Sequence, residues 1–314
     1  MKYPEELIFL KNSQLKPKIS TTSLEHHVCV ISGATSGVGL ETVKQLAKHQ
    51  AHLVMVCRNQ QKAEAIKQTL SQQYHVDIDI IIADFSVLSD VRRAASEILA
   101  RYKTIHLLIN SVGMHATKKT YTVEGFETVF CVNHLAPFLF TALLLPRLKE
   151  SAPSRVIQIN SEGHRFNGLK LSDVNWHHRL YTGLRGYGAS KTAQLLTTWE
   201  FAKLLEGSGV TINAMHPGEV RTNIGQNNGW LYRFFLRHVT WHFLKEPNIS
   251  GEAIYYLASE PTLDTVSGRF FNLTTEELPA KHARNQELGQ KIWHLSLQLT
   301  NLMPSKEGGV CYEV

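Results

Sequence analysis

Short runs of consecutive apolar residues recur along the chain, separated by longer stretches in which apolar residues return every three or four positions. The runs are Val28–Ile31, Leu53–Val56, Ile78–Ile82, Ile105–Ile109, Val156–Ile159, Val210–Ala214 and Arg269–Asn272. Strands that are apolar almost throughout belong to a sheet covered on both faces, and the intervals between them suit crossover helices. The pattern predicts an α/β domain over residues 23–302, with about seven parallel strands in a doubly wound sheet and helices on both faces. Residues 1–22 read as an added N-terminal arm and residues 303–314 as a C-terminal tail.

Composition changes this picture little. The 33 Lys and Arg against 27 Asp and Glu give a charge of +6, scattered without a basic run, which excludes a dedicated nucleic-acid module. The excess suits a phosphate-bearing small molecule or an anionic membrane surface equally well. Cys29, Cys57, Cys131 and Cys311 form no CxxC pair, so neither a disulfide framework nor a zinc site is expected. His238 and His242 have ligand spacing but no third partner in sequence, so metal sites are read as none. The N-terminal apolar stretch Leu7–Leu10 is far below the about 18 residues a span requires, and no signal-peptide plan surrounds it. No transmembrane helix is read, and the expected location is cytoplasmic.

The first strand runs into Ser32-Gly33-Ala34-Thr35-Ser36-Gly37-Val38-Gly39, followed by a helical run from Leu40. Three glycines between strand and helix let backbone pass close to a pyrophosphate, with the helix N-terminus aimed at that anion. This marks the sheet as Rossmann-type. Tyr187 and Lys191 lie four residues apart in a long helical pattern, one turn or about 5.4 Å along the axis. A free tyrosine, with a pKa of about 10, is a poor base at neutral pH, and a neighbouring ammonium favours its phenolate. The fifth strand leads into Asn160-Ser161-Glu162-Gly163 and the sixth into His216-Pro217-Gly218-Glu219-Val220-Arg221-Thr222. Both stand at the strands' C-terminal ends, where open α/β sheets bind ligands.

Together these motifs resemble the short-chain dehydrogenase/reductase family over roughly residues 24–300, closest to its retinol dehydrogenase-like branch. Supporting marks are Val54–Arg58, Asn133-His134-Leu135, the long interval from Ser161 to Tyr187, and Ile292-Trp293-His294-Leu295-Ser296. The resemblance implies a catalytic set of Asn133, Ser161, Tyr187 and Lys191. In it Ser161 holds the substrate oxygen, Tyr187 moves the proton, Lys191 supports the phenol and holds the nicotinamide ribose, and Asn133 serves a water-linked proton path. It further implies a cofactor set of Gly33, Thr35, Ser36, Gly37, Val38, Gly39, Arg58, Asp84, Phe85, Asn110, Gly113, Tyr187, Lys191, Pro217, Gly218, Val220 and Thr222. Cys57 stands where an NAD enzyme carries an acidic residue, and Arg58 follows it, so NADP(H) is preferred over NAD(H). Two positions depart from the family pattern. NNAG reads Asn110-Ser111-Val112-Gly113, and the serine before the active-site serine is Asn160.

The expected activity is interconversion of an alcohol and an aldehyde or ketone on a lipophilic substrate such as a retinoid, steroid or long-chain aldehyde. Residues 223–247 are read as a substrate lid. Within it the aromatic and basic run 230–245 suits either a pocket lining or peripheral contact with a membrane. Helices around Ala136–Leu148 and Lys191–Leu205 resemble those that pair in family dimers and tetramers, leaving a homo-oligomer open. Two other readings stay open: a non-catalytic NADPH-sensing interaction protein, and a carbon–carbon double-bond reductase related to protochlorophyllide reductase.

Overall fold

The computed structural model describes residues 8–12, 15–218, 248–304 and 310–311. Val220, Thr222 and the segment 223–247, with its run 230–245 and His238 and His242, lie outside the described residues. The strands are β1 Val28–Ser32, β2 His52–Cys57, β3 Ile78–Ile82, β4 Leu107–Asn110, β5 Ser154–Ile159, β6 Val210–His216, β7 Phe270–Asn272 and β8 Thr275–Glu277. The principal helices are α1 Gly37–Lys48, α2 Gln60–Tyr74, α3 Leu88–Arg101, α4 Thr128–Glu150, α5 Gly183–Leu204, α6 Asn248–Ser259 and α7 Gln286–Leu299.

These eight strands form one sheet in the order β3-β2-β1-β4-β5-β6-β7-β8, and Met303–Pro304 pairs antiparallel with Val310–Cys311 in a separate two-stranded ribbon. The first seven in this order pair in parallel and β8 pairs antiparallel with β7. The expected seven parallel strands are therefore present, and an eighth is added. It escapes the apolar pattern because Thr275-Glu276-Glu277 is polar and the connection from β7 is only Leu273-Thr274, with Leu273 at φ +54°. The order reverses between β1 and β4, which opens a crevice at the ends of Ser32 and Asn110.

Two apolar layers cover the sheet. One packs α3, α4, α5 and α7 on one face, and the other packs α1, α2 and α6 on the opposite face. Side chains close the helix starts: Asn59 accepts from Lys62 N–H at 2.9 Å for α2, and Asn285 accepts from Leu288 N–H at 2.8 Å for α7. The Glu127 carboxylate, buried at the start of α4, accepts from the N–H groups of Val129 and Phe130.

Helix α4 is long and apolar enough to cross a membrane, with a mean hydropathy of 1.8 over its most apolar window, yet 94% of that window is buried in the fold. It is the core helix of one face, interrupted by a wider π turn at Cys131–Leu135. Phe138 of α4 and Phe201 of α5 meet edge-on or tilted at 5.3 Å, and Trp293 of α7 packs against both at 5.1 and 4.7 Å. Helix α7 thus lies across α4 and α5 within the one chain. The N-terminal arm follows the β7–β8 hairpin and α6: Lys18 N–H donates to Thr274 Oγ1 at 2.8 Å, Ser259 bonds Ser20, and Tyr255 donates to the Thr22 carbonyl.

Phe201 is fully enclosed by this aromatic triad. Replacing it with alanine is expected to cost about 3–5 kcal/mol, read as a lowered midpoint in urea unfolding with an unchanged slope.

Candidate active site

Gly33 takes φ +73° and Gly37 takes φ +53°, conformations that glycine adopts without a steric penalty. A Cβ on Gly39 would lie 2.2 Å from the Gly33 carbonyl oxygen, and one on Gly33 would lie 2.8 Å from the Val112 nitrogen. The loop is therefore folded on itself and seated on the segment after β4, with bare backbone toward the crevice. Ser111 Oγ lies 3.2 Å from the Cβ position of Gly39, is buried, and has no hydrogen-bond partner among the described residues. A buried polar atom without a partner, beside a cradle too tight for any side chain, fits the polar backbone of a dinucleotide.

The cradle forms the middle of a cleft of about 670 Å³. Thr35, Ser36, Gly37 and Val38 line it with Gly33 and Gly39; Arg58, Asp84 and Phe85 stand toward one end, and Gly113, Ser161, Tyr187, Lys191, Pro217 and Gly218 toward the other. Asn110 and Asn133 stand behind its wall. Asn110 is fully buried and donates to Thr141 Oγ1 at 2.8 Å. Asn133, in the π turn, accepts from Met114 N–H at 2.8 Å and donates to the Met114 carbonyl at 2.9 Å and to Ser190 Oγ at 3.0 Å. Its side chain clamps the loop after β4 that carries Gly113. The next residue, His134, contacts Ser296 Oγ at 2.8 Å, so two of the sequence marks far apart in the chain meet directly behind the site.

At the strand-end of β2, burial raises the Cys57 thiol to about 11, so this side chain carries no charge at neutral pH. Arg58 is exposed and lies 3.9 Å from Asp84, whose other oxygen accepts from Ser86 N–H and Oγ–H at 2.8 Å each. Lys62, which sequence reasoning passed over, lines the same end. Its signal was its place in the first turn of α2, four residues after Arg58.

At the other end, Lys191 is buried, and its ammonium donates to the Ile159 carbonyl at 2.8 Å and to Gln194 Oε1 at 3.3 Å. It lies 5.9 Å from the centre of the Tyr187 ring. Desolvation lowers its pKa to about 7. Ser161 Oγ accepts from Gly163 N–H at 3.0 Å, which leaves its own proton to donate. Gly163 was also missed: a Cβ there would fall 2.5 Å from the Tyr187 ring and 3.3 Å from Ser161 Oγ, so its bareness lets the ring lie beside the serine. The His164 ring contacts the Ser161 carbonyl through Nδ1 at 2.8 Å and accepts from Ala280 N–H through Nε2 at 3.1 Å. His115 packs edge-on against Tyr187 at 5.5 Å. A hydroxyl donor, a phenol and a buried ammonium converge on one spot, the arrangement needed to hold an oxygen and move a proton to or from it.

A profile of the short chain dehydrogenase family matches residues 27–229. Retinol dehydrogenase 13 of Homo sapiens is 33% identical over 290 residues, covering 90% of this chain and 87% of the relative. Dehydrogenase/reductase SDR family member 13 of Bos taurus is 35% identical over 310 residues, covering 96% and 80%. Among solved structures, an uncharacterized protein from Mycobacterium Paratuberculosis superposes with a TM-score of 0.74 at 29% identity, covering 91% of this chain and 98% of its own.

The burial of Lys191 has a measurable cost. Between pH 7 and about 10 the unfolded chain, with its lysine near 10.5, holds a proton that the folded chain has shed. Stability from this group therefore rises with pH across that window and is lost as pH falls through 7. The unfolding free energy of the wild type minus that of Lys191→Met is expected to climb from pH 7 to 10 in urea titrations. A flat difference contradicts the assignment.

Proposed function

The chain belongs to the short-chain dehydrogenase/reductase family, in its retinol dehydrogenase-like branch, and from that premise we propose an NADP(H)-dependent oxidoreductase that interconverts a lipophilic alcohol and its aldehyde or ketone. The observation that carries this reading is the single cleft, with Arg58 and Lys62 at one end and Ser161, Tyr187 and Lys191 at the other. When bound, the nicotinamide supplies or accepts the hydride.

The protein's own groups do the rest. The glycine loop Gly33–Gly39 offers N–H groups and the α1 N-terminus to the pyrophosphate. Arg58 and Lys62 pair with a 2′-phosphate, and the neutral Cys57 thiol removes the repulsion a carboxylate would exert there. Asp84 and Phe85 border the adenine, and Gly113, Pro217 and Gly218 bring backbone to the nicotinamide end. In the reducing direction Ser161 Oγ–H donates to the carbonyl oxygen, and Tyr187 gives that oxygen its proton as hydride reaches the carbon. The Lys191 ammonium stabilises the phenolate that Tyr187 leaves behind. In the oxidising direction the same phenolate takes the alcohol proton. Asn133 acts through the backbone it clamps. A lipophilic substrate is supported by the relatives, which include retinol dehydrogenases 11 to 14.

Purified protein incubated with NADPH and retinal, steroid ketones or medium-chain aldehydes is expected to oxidise the cofactor. Tyr187→Phe is expected to lower kcat by about 10²-fold or more while leaving NADPH binding intact. Absence of any Tyr187-dependent turnover across such a panel would count against the reading. Separately, Arg58→Ala and Lys62→Ala should each raise the KM for NADPH by about tenfold and leave that for NADH nearly unchanged. Equal effects on both cofactors would refute the 2′-phosphate assignment.

A further inference from the structure

Asn160 stands where the resemblance places a serine, and its amide touches both sides of the proposed site. Its Oδ1 accepts from Ser161 N–H at 2.8 Å, while Nδ2 donates to the Lys191 carbonyl at 3.0 Å and to Gln194 Oε1 at 2.8 Å. Gln194 Oε1 accepts in turn from the Lys191 ammonium at 3.3 Å. We propose that Asn160 and Gln194 form a positioning pair that holds the Lys191 ammonium in register with the Ser161 hydroxyl.

The orientation of Asn160 is set by the backbone groups on its two sides, and Gln194 is also tied to a buried chain of polar side chains behind it. Gln194 Nε2 donates to Gln158 Oε1 at 3.3 Å, Gln158 Nε2 donates to Thr141 Oγ1 at 3.1 Å, and Asn110 Nδ2 donates to the same hydroxyl at 2.8 Å. All of these side chains are buried. Turning the Gln194 amide over would set its NH₂ against two donors, Asn160 Nδ2 and the ammonium, and its oxygen against the Gln158 oxygen. Each turned link leaves a buried polar group unpaired, which the fold disfavours. The amide dipole of Gln194 is thereby fixed with its negative end on Lys191.

The groups facing the Lys191 ammonium can be named element by element. Tyr187 on α5 is the titratable neighbour, β5 contributes the Ile159 carbonyl, and His216 at the end of β6 lines the same cleft. Both Asn133 Oδ1 and the ammonium lie within 4 Å of the Cβ position of Gly113, at 3.6 and 3.9 Å. Desolvation is the cause acting on the lysine, and among the described residues no carboxylate offsets it. A fixed amide oxygen is then the group, beside one backbone carbonyl, that favours its charged form.

The test reads the lysine directly. Protein carrying ¹³Cε-labelled lysine, with the Lys191 resonance assigned by its loss in Lys191→Met, is titrated by NMR without cofactor as wild type, Gln194→Leu and Gln194→Glu. The midpoint is expected to fall by about one unit in Gln194→Leu and to rise by at least as much in the isosteric Gln194→Glu. Coincident titrations in all three overturn the proposal; if Gln194→Leu does not fold, the comparison with Gln194→Glu decides alone. This readout needs no turnover, so its failure is distinct from failure of the hydride-transfer reading on which the kinetic consequence rests. Kinetically, Asn160→Ser should lower kcat about tenfold, keep the Kd for NADPH within about twofold, and shift the alkaline limb of the kcat profile. A fall in kcat with an unmoved pH profile marks a merely structural role and also overturns it.

Discussion

An ammonium enclosed by protein must find acceptors or surrender its proton, and Lys191 has been placed under that constraint. Its two acceptors come from different elements, the last residue of β5 and the next turn of its own helix. For both to be reached, α5 must lie over the end of β5 at a fixed height and rotation. Much of the surrounding packing serves that placement. Gly188 leaves only 3.0 Å between its Cβ position and the Gly163 carbonyl, letting α5 settle onto the Ser161 loop. Asn160 ties the same loop to the helix backbone three residues later, at the Lys191 carbonyl. The desolvation that strains the lysine is also what lets its charge act strongly over a short distance on a neighbouring phenol.

The sheet supplies the second constraint. Parallel strands leave all their C-terminal ends on one edge, and the reversal between β1 and β4 keeps connecting helices from covering it there. The glycine loop follows β1, the cationic strand-end follows β2, and the serine loop follows β5, so groups more than a hundred residues apart share one cleft without any long excursion of the chain. Depth at that edge is controlled by small side chains. Gly39 fits against the Gly33 carbonyl, and Gly163 fits beneath the Tyr187 ring, each where a methyl group would collide.

What could be read from the sequence follows from which features are local. Seven strands announced themselves because a doubly covered strand is apolar at every position. β8 stands at the end of the sheet order, has three polar residues, and turns back through a left-handed leucine, so it carried no such sign. The fourth strand begins at Leu107, two residues later than its apolar run, because Ile105 N–H bonds the Ser151 hydroxyl and leaves the ladder. Tyr187 and Lys191 were legible because one helix fixes their spacing, and Ser161 because a strand end fixes its place. Asn160, Gln158, Gln194 and Thr141 come from three elements, and only the β5 register against α4 and α5 brings them together. A buried glutamine within an apolar strand was the available hint, since an unpaired amide there would be costly.

The packing of the two chain ends bears on how the molecule is made. Asn12 and the stretch Lys18 to Thr22 find their partners on Glu277, Thr274 and α6, which are synthesised more than 200 residues later. His134, beside the clamp of Asn133, likewise waits for Ser296. The first four strands can align early, since β3, β2, β1 and β4 are neighbours in both sequence and space. The active-site turn of α4 cannot be braced until α7 has emerged. Translation that stops before α7 would therefore release a chain with most of its sheet but with this wall of the cleft still unsupported, and with apolar α4 left open to association.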